Sequence, residues 1–376
     1  MCRGAWICFS LVCLTLVLAS SQQGRDQAES LTLVKLEKFG WQPLPNTHEW
    51  VGTNSRLVSI DHQGRVLVGF TARESTALAT REHPRLSFHI LRFTSEGKED
   101  LSLVLPTNSW FNNGLYLDSD DRIYARADNS VQFRMEQGEP SNAIGIWKPL
   151  VMCSMTCEIM QSPSRRTFVV RDTQPSGNRS YIVLDSSSAV LPVAKDCPWT
   201  GSYGQAITDR FVYHASDGIS TDVRRWPICD QKRETEMPLD MRNGAIRPLS
   251  DEALLLIGTR KKDSQEGVDL VGPDGQVKFL RQMPRHDIVG PYWTAVDEKG
   301  DRCAFTVGTW RGGSRALDVS GKRIARRVAV YNDAGQELVS IPVSTTYHRD
   351  FDFSLSPDGH RLAILDEGVL TVVEIQ

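Results

Sequence analysis

The feature that most constrains the fold is a short pattern that recurs along the chain. It consists of an apolar strand, a polar turn rich in Asp and Gly, and a second apolar strand, which is the pattern of a β-hairpin. Four clear copies occupy residues 57–70, 115–127, 293–307 and 353–365. Three weaker copies occupy residues 159–170, 206–214 and 246–258. Seven copies of one pattern predict a repeat architecture.

The spacing of the copies indicates which repeat it is. Their turns are marked by Gly64, Asp121, Arg165, Asp209, Asp251, Gly300 and Gly359. Successive markers are 42 to 59 residues apart, close to the ~40–50 residues of a four-stranded propeller blade. After several copies come two more strand-like runs joined by turns such as Gly-Pro-Asp-Gly. We therefore predict an all-β fold, a seven-bladed β-propeller of four-stranded antiparallel blades.

The end of the chain predicts how the ring closes. The runs 351–355, 361–365 and 369–375 supply only three strands to the last blade. Near the other end, residues 31–37 alternate apolar and polar side chains. This segment is expected to pair as the outer strand of the seventh blade, which would protect edges that an open array exposes.

Length and the N-terminal composition set the domain organisation. Two domains would suit 376 residues, but the repeat favours one propeller over residues 31–376. Residues 1–21 read as a secretory signal peptide, with an apolar run at 7–19 that is shorter than the ~20 residues of a membrane-spanning helix. Residues 22–30 read as a flexible leader. We expect an extracytoplasmic protein, periplasmic or secreted, with no integral membrane segment once the signal is removed.

The cysteines fit an oxidising compartment. Five remain after the leader: Cys153, Cys157, Cys197, Cys229 and Cys303. Their odd number leaves at least one thiol unpaired or bridged between molecules. We expect a Cys197–Cys229 disulfide, because both residues map to one face of adjacent blades. Cys153 and Cys157, placed on a straight strand, would lie about 13 Å apart and out of reach of each other.

Charge and motifs exclude several function classes. The net charge of -3 gives no broad field for nucleic acid. Neither C-x-x-C nor H-x-H occurs, so we expect no metal and no cofactor. A monomer is expected.

The last copy carries a resemblance to known repeats. Residues 355–363, LSPDGHRLA, are similar to the S-P-D-G-x-x-L-A signature of bacterial TolB-like and WD-like propeller repeats. The resemblance implies an exported propeller. Propellers of this class are binding and interaction modules or, less often, enzymes, so the resemblance leaves the chemistry open.

Aromatic and basic residues concentrate in the loops that would gather on one face of the ring. These loops enter each first strand or join second to third strands, and we refer to them as the loop face. The candidate binding residues there are Trp50, Trp110, Trp147, Trp199, Arg285, His286, Trp293, Trp310, Arg311, His348 and Arg349. Such side chains can stack on a sugar or peptide and donate hydrogen bonds. The alternative for each Trp is a packing role between blades.

The predicted function is binding or scaffolding of a protein, peptide or glycan ligand on the loop face. No catalytic residue is assigned, since neither a G-x-S-x-G elbow nor a sialidase-type box occurs. The alternative is a secreted hydrolase or lyase that acts on carbohydrate or peptide at the same face. Its candidate acids and bases are His286, Asp287, His348 and Asp350.

Overall fold

A computed structural model describes most of residues 30–376. The described residues are 30–42, 56–73, 86–108, 113–135, 146–154, 156–173, 179–185, 193–197, 205–215, 222–238, 241–251, 253–260, 266–272, 274–283, 287–311, 322–345 and 351–376. The predicted signal peptide and nearly all of the predicted leader lie outside this part.

Within the described residues, 28 strands form seven antiparallel sheets of four. In chain order the strands are β1 (Ser30–Lys35), β2 (Val58–Ile60), β3 (Val66–Arg73), β4 (Leu86–Phe93), β5 (Glu99–Thr107), β6 (Gly114–Leu117), β7 (Ile123–Ala127), β8 (Ser130–Met135), β9 (Ile146–Met152), β10 (Thr156–Gln161), β11 (Thr167–Thr173), β12 (Arg179–Asp185), β13 (Val193–Cys197), β14 (Gln205–Ile207), β15 (Phe211–Ala215), β16 (Asp222–Pro227), β17 (Thr235–Pro238), β18 (Met241–Ser250), β19 (Ala253–Arg260), β20 (Glu266–Val271), β21 (Val277–Gln282), β22 (Asp287–Val296), β23 (Arg302–Arg311), β24 (Lys322–Asn332), β25 (Glu337–Pro342), β26 (Asp352–Leu355), β27 (Arg361–Asp366) and β28 (Val369–Glu374). Two short 3₁₀ turns are Leu36–Phe39 and Gln231–Arg233.

The sheets follow the predicted repeat. Blades 1 to 6 are consecutive meanders, β2–β5, β6–β9, β10–β13, β14–β17, β18–β21 and β22–β25. Each predicted copy supplies the first two strands of a blade. The prediction of a seven-bladed propeller is confirmed.

The seventh blade combines the two ends of the described chain. Its strand order is β1-β28-β27-β26, and β1 pairs antiparallel with β28 from Ser30↔Val373 to Lys35↔Val369. The backbone N–H of Leu36 continues the pairing by donating to the carbonyl of Gly368, at 2.8 Å. The predicted closure by an N-terminal outer strand is therefore confirmed.

Burial decreases from the first strand of a blade, at the centre of the ring, to its fourth strand at the outside. The first strands β2, β6 and β26 are buried at every position, since both faces of a blade pack against neighbouring blades. The outer strand β5 instead alternates along its second half, where Leu103, Leu105 and Thr107 are buried and the residues between them are exposed. One large core cluster joins apolar residues of blades 7, 1 and 2, including Leu370, Val68 and Leu115. Packing between blades is thus the main source of stability.

The turns between first and second strands share one chemistry. The side chain that ends the first strand accepts hydrogen bonds from backbone N–H groups across the turn, as Asp61 does from Gln63 and Arg65. Asp118 does the same in blade 2 and Ser356 in blade 7. In blade 2, Asp120 and Asp121 belong to this same turn. This local acceptor explains why Asp and Ser recur before the turns.

Two disulfides connect blade 3 to its neighbours. Cys197, at the end of β13, is bonded to Cys229, just after β16, so the predicted bridge is confirmed. Cys153 and Cys157 are also bonded, with their Cα atoms 5.5 Å apart. The prediction that Cys153 and Cys157 are out of reach of each other was wrong. It assumed one straight strand, whereas β9 ends at Met152 and β10 begins at Thr156, so the two cysteines face each other across the passage from blade 2 to blade 3.

Cys303 is the unpaired cysteine among the described residues, and it is buried. Burial is the main cause that raises the pKa of its thiol to about 12, with a smaller contribution from Asp297. The thiol is therefore protonated and unreactive at neutral pH.

Candidate functional site

The seven first strands surround a central channel with a cavity volume of about 200 Å³. Every blade contributes wall residues, among them Val58, Tyr116, Met160, Ile207 and Ala295. The lining combines these apolar residues with polar and charged side chains. Charged side chains lie towards its two ends, and we call the end on the loop face the mouth and the opposite end the floor.

Two arginines meet at the mouth. Arg56 lies two residues before the start of β2, and its Nη2–H donates to the carbonyl of Thr294 in blade 6 at 2.5 Å. Its Nη1–H donates to the carbonyl of Phe353 in blade 7 at 3.0 Å. From blade 5, Arg247 donates through Nε to Oγ1 of the same Thr294, at 2.9 Å. Two guanidinium groups from non-adjacent blades are thus held around one threonine.

Asp352 is the acidic group at the mouth. Its Oδ2 accepts hydrogen bonds from the backbone N–H groups of Leu57 and Val58, at 2.6 and 3.0 Å, while Oδ1 lies 3.7 Å from Nη1 of Arg56. Burial raises the pKa of Asp352, although Arg56 and the backbone donors act in the opposite direction. Asp352 mainly anchors the chain that enters blade 1, and it offsets only part of the positive charge of the two arginines.

Arg165 forms the floor. It belongs to the first turn of blade 3 and is 8% exposed. Its Nη1–H donates to the carbonyl of Ile60 in blade 1 at 2.7 Å, and Nη2 lies 3.5 Å from the carbonyl oxygen of Leu355 in blade 7. Its Nε lies 3.5 Å from Oε1 of Glu298 in blade 6. Because blade 3 is across the ring from blades 6 and 7, this side chain spans the channel.

A charged network extends from the floor along the turns of the face opposite the loop face. His62 of blade 1 lies between Asp121 of blade 2 and Glu298 of blade 6, with Nδ1–Oδ1 and Nε2–Oε2 distances of 2.9 and 3.1 Å. Partial burial opposes protonation of His62, but hydrogen bonds and charge from the two carboxylates prevail and raise its pKa. The floor therefore connects four blades through Arg165, Glu298, His62 and Asp121.

The loops of the loop face are anchored by aspartates at the ends of second strands. Asp172 accepts a hydrogen bond from the backbone N–H of Ser154 at 2.7 Å, and Asp366 accepts one from that of Ser344 at 2.7 Å. Asp128 accepts one from Asn108 at 2.9 Å. In each case the bond fixes the segment that enters the first strand of the same blade, so the rim beside the mouth has a defined backbone.

Four of the candidate binding residues lie in described strands. Trp293 is within β22, at an irregularity of strand pairing between Gly290 and Thr294. Trp310 and Arg311 are the last two residues of β23. They therefore lie at the end of a strand, whereas the sequence predicts a loop at these two positions. The remaining candidates are outside the described residues: Trp50, Trp110, Trp199, Arg285, His286, His348 and Arg349.

Trp147 is placed differently from the loop-face assignment. Residues 138–155 contain β9, the outer strand of blade 2, and Trp147 is its second residue. In an antiparallel meander the fourth strand begins at the face opposite the loop face. Trp147 is half-buried and packs against the core of blades 7, 1 and 2. Trp41, in the segment between β1 and β2, is also buried and belongs to the same core cluster. For both residues the packing role is the one observed.

Of the four proposed acids and bases of the enzymatic alternative, one lies in the described part of the chain. Asp287 begins β22, and His286, His348 and Asp350 lie outside the described part. Within that part, no cluster of three His, Cys, Asp or Glu side chains is arranged to hold a metal ion. No described helix is long and apolar enough to cross a membrane.

The residues that could not be identified as functional from the sequence are Arg56, Arg165, Arg247, Thr294 and Asp352, which line the channel, and His62 and Glu298, which belong to the charged network next to the floor. Arg56 and Asp352 each lie at the start of a predicted first strand, and Arg165 was identified only as a turn marker. A search for charged residues within or immediately before the predicted hairpins would have found these three.

Comparison with known proteins gives the fold and no closer relationship. No model of a known protein family matches the chain, and no curated protein matches it. Among the solved structures, a chain in the crystal structure of the mitotic checkpoint complex aligns with 94% of this chain and 93% of its own length, at 11% identity and a TM-score of 0.51. The protein lmo1340 from Listeria monocytogenes covers 92% of this chain and 97% of its own, at 11% identity and a TM-score of 0.49.

A structure of putative TolB from Agrobacterium tumefaciens covers 74% of this chain and 94% of its own, at 14% identity and a TM-score of 0.41. At these identities the likeness concerns the fold alone. The seven four-stranded sheets define the class, and the likeness to the chain of the mitotic checkpoint complex agrees with it: this chain is a seven-bladed β-propeller. The architecture implied by the repeat at residues 355–363 is therefore confirmed.

Proposed function

We propose that this chain is an exported binding protein that holds a protein, peptide or glycan ligand on its loop face, over the mouth of the channel. The observation that carries the proposal is the polarity of the channel. Arg56 and Arg247 present guanidinium groups at the mouth, whereas Arg165 spans the floor. A ligand can therefore enter from the loop face.

Two further observations support this function. The disulfides Cys153–Cys157 and Cys197–Cys229 suit an oxidising compartment, which agrees with the signal peptide expected at residues 1–21. The aspartate anchors at Asp128, Asp172 and Asp366 hold the rim in place, and a preorganised surface loses little entropy when it binds a ligand.

The proposal is tested with glycan and peptide arrays probed with the mature protein, residues 22–376. Two variants add bulk at exposed rim positions of the loop face, Asn108→Trp and Thr345→Trp. The matched control is Lys299→Trp, which adds the same bulk in an exposed turn of the opposite face. We expect wild type and the control to bind the same array members and the rim variants to bind them at least tenfold more weakly.

Two results would overturn the proposal. One is the absence of binding to any array member. The other is a loss of binding in Lys299→Trp with retention in both rim variants, because the ligand would then lie on the opposite face.

A further inference from the structure

We infer that the channel mouth is a carboxylate-binding subsite, which receives an acidic side chain or the C-terminal carboxylate of a protein partner. This inference rests on the proposed function and specifies the group that the loop face recognises.

The sign of the charge at the mouth selects an anion. Arg56 and Arg247 contribute two positive charges, and Asp352 contributes one negative charge when it is ionised. The Asp352 carboxylate is committed on one side to two backbone N–H groups, and its distance to Arg56 is that of a loose ion pair. Among the described residues that line the channel, three are arginines (Arg56, Arg165 and Arg247) and one is acidic (Asp352), so the lining favours an anionic group such as a carboxylate.

The donor geometry favours a planar, two-oxygen acceptor. A guanidinium group has five N–H donors in a fixed fork. Arg56 directs two of them to the carbonyls of Phe353 and Thr294, and its side chain is 36% exposed. Arg247 is oriented by Thr294 and by its own neighbour, the carbonyl of Ile246. Both forks are held in place before a ligand arrives, and guanidinium groups bind carboxylates through parallel hydrogen bonds.

The dimensions of the channel limit how much of the partner enters. A volume of about 200 Å³ is below the ~300–1,000 Å³ typical of sites for drug-sized ligands. Arg165 also prevents a chain from threading through the floor. The group that enters is therefore the end of a side chain or of a polypeptide, with its aliphatic part against apolar wall residues such as Val58 and Ala295. The remainder of the partner stays outside, on the loop face.

The first test compares paired peptides on the array and in solution. Each peptide that binds wild type is remade with its C-terminal carboxylate as an amide, and separately with each Asp or Glu as Asn or Gln. We expect one of these changes to weaken binding about ten- to hundredfold, because it removes a hydrogen-bonded pair of opposite charges. This comparison changes only the peptide, so it does not depend on the folding of any variant.

The second test locates the subsite on the protein. Arg56→Gln and Arg247→Gln should each weaken binding of the carboxylate peptide and reduce the difference between it and its amide or Asn/Gln counterpart. The control is Arg233→Gln, an exposed arginine of a turn in blade 4, which should bind as wild type does. Thermal melting followed by circular dichroism verifies that each variant is folded.

Acetate and citrate are added as competitors, to distinguish recognition of a peptide carboxylate from recognition of a small free carboxylate. Peptides that bind wild type regardless of their carboxylates, and that are unaffected by Arg56→Gln and Arg247→Gln, would overturn the inference while leaving binding on the loop face intact. Binding of citrate alone, with no peptide bound, would overturn the protein partner. A failure of the proposed function would instead appear as no binding to any array member.

Discussion

Replacement of Arg165 by Met should destabilise the whole ring, because this one side chain contacts three other blades across the channel. The substitution removes the hydrogen bond to the carbonyl of Ile60 and leaves the buried Oε1 of Glu298 without the cation that faces it. Breaking a buried pair costs about 3–5 kcal/mol. Glu298 retains its contact with His62, so the lower end of this range applies, about 3 kcal/mol.

The expected change in melting temperature follows from the size of the chain. An unfolding entropy of about 2.1 cal/mol/K per residue over roughly 345 residues gives ~0.7 kcal/mol/K, so a loss of ~3 kcal/mol lowers Tm by about 4 °C. Differential scanning calorimetry and denaturant unfolding measure this change. Arg165→Lys, which keeps the charge without the fork, should lie between Met and wild type.

The control is Arg166→Ala, the adjacent residue of the same turn, which is exposed. It should remain within ~0.5 kcal/mol of wild type, as surface substitutions usually do. If Arg165→Met also remained within that limit, the contacts across the channel would contribute nothing to stability and the reasoning would be refuted.

Three further substitutions or deletions test other parts of the fold. The pKa of His62 is raised above its ordinary value of 6.5. The contribution of His62 to stability is therefore complete below pH 6.5 and is lost as pH rises through the raised pKa. His62→Gln should remove this pH dependence from the Tm, and an unchanged pH profile of the Tm would contradict the His62–Glu298 contact. Deletion of residues 31–37 removes most of β1 and should lower the Tm of the entire domain rather than of a local segment; unchanged melting would show that β1 does not close the ring. Gly300→Ala should lower the free energy of unfolding by at least ~1 kcal/mol, because Gly300 has φ of +74° and an added Cβ would lie 2.7 Å from the carbonyl oxygen of Leu249. Equal stability of the variant and wild type in urea unfolding would contradict this packing of blade 6 on blade 5.

The part of the fold that the sequence predicts is the part that local chemistry determines. Five of the seven turn markers have positive φ: Gly64, Asp121, Arg165, Gly300 and Gly359. Such backbone conformations favour Gly and Asp, so the hairpins are visible in the sequence. Strand β1 could be predicted for a similar reason, since its alternation suits an outer strand with one exposed face.

The candidate site is less visible because it is assembled by the ring. Arg165 meets Ile60, Glu298 and Leu355, which lie in three other blades and far from it in the sequence. Such contacts follow from seven-fold closure rather than from any local pattern. The error at Cys153 and Cys157 has a related origin, because their bond depends on a bend between blades that spacing along a straight strand does not describe.

The tryptophans show a different limit of sequence reasoning. A large aromatic residue in a predicted loop is compatible both with a ligand and with the space between blades. At Trp147 the blade geometry decides, since this residue begins an outer strand and packs against the core. Ligand binding and packing between blades can be distinguished for such a tryptophan once the strands are placed.

The sharpest measurement is a crystal structure of residues 22–376 with a peptide selected on the array. We expect a carboxylate of the peptide within hydrogen-bond distance of the guanidinium groups of Arg56 and Arg247, with the rest of the peptide on the loop face. A peptide bound at the opposite face or along an outer strand, with the mouth unoccupied, would contradict it.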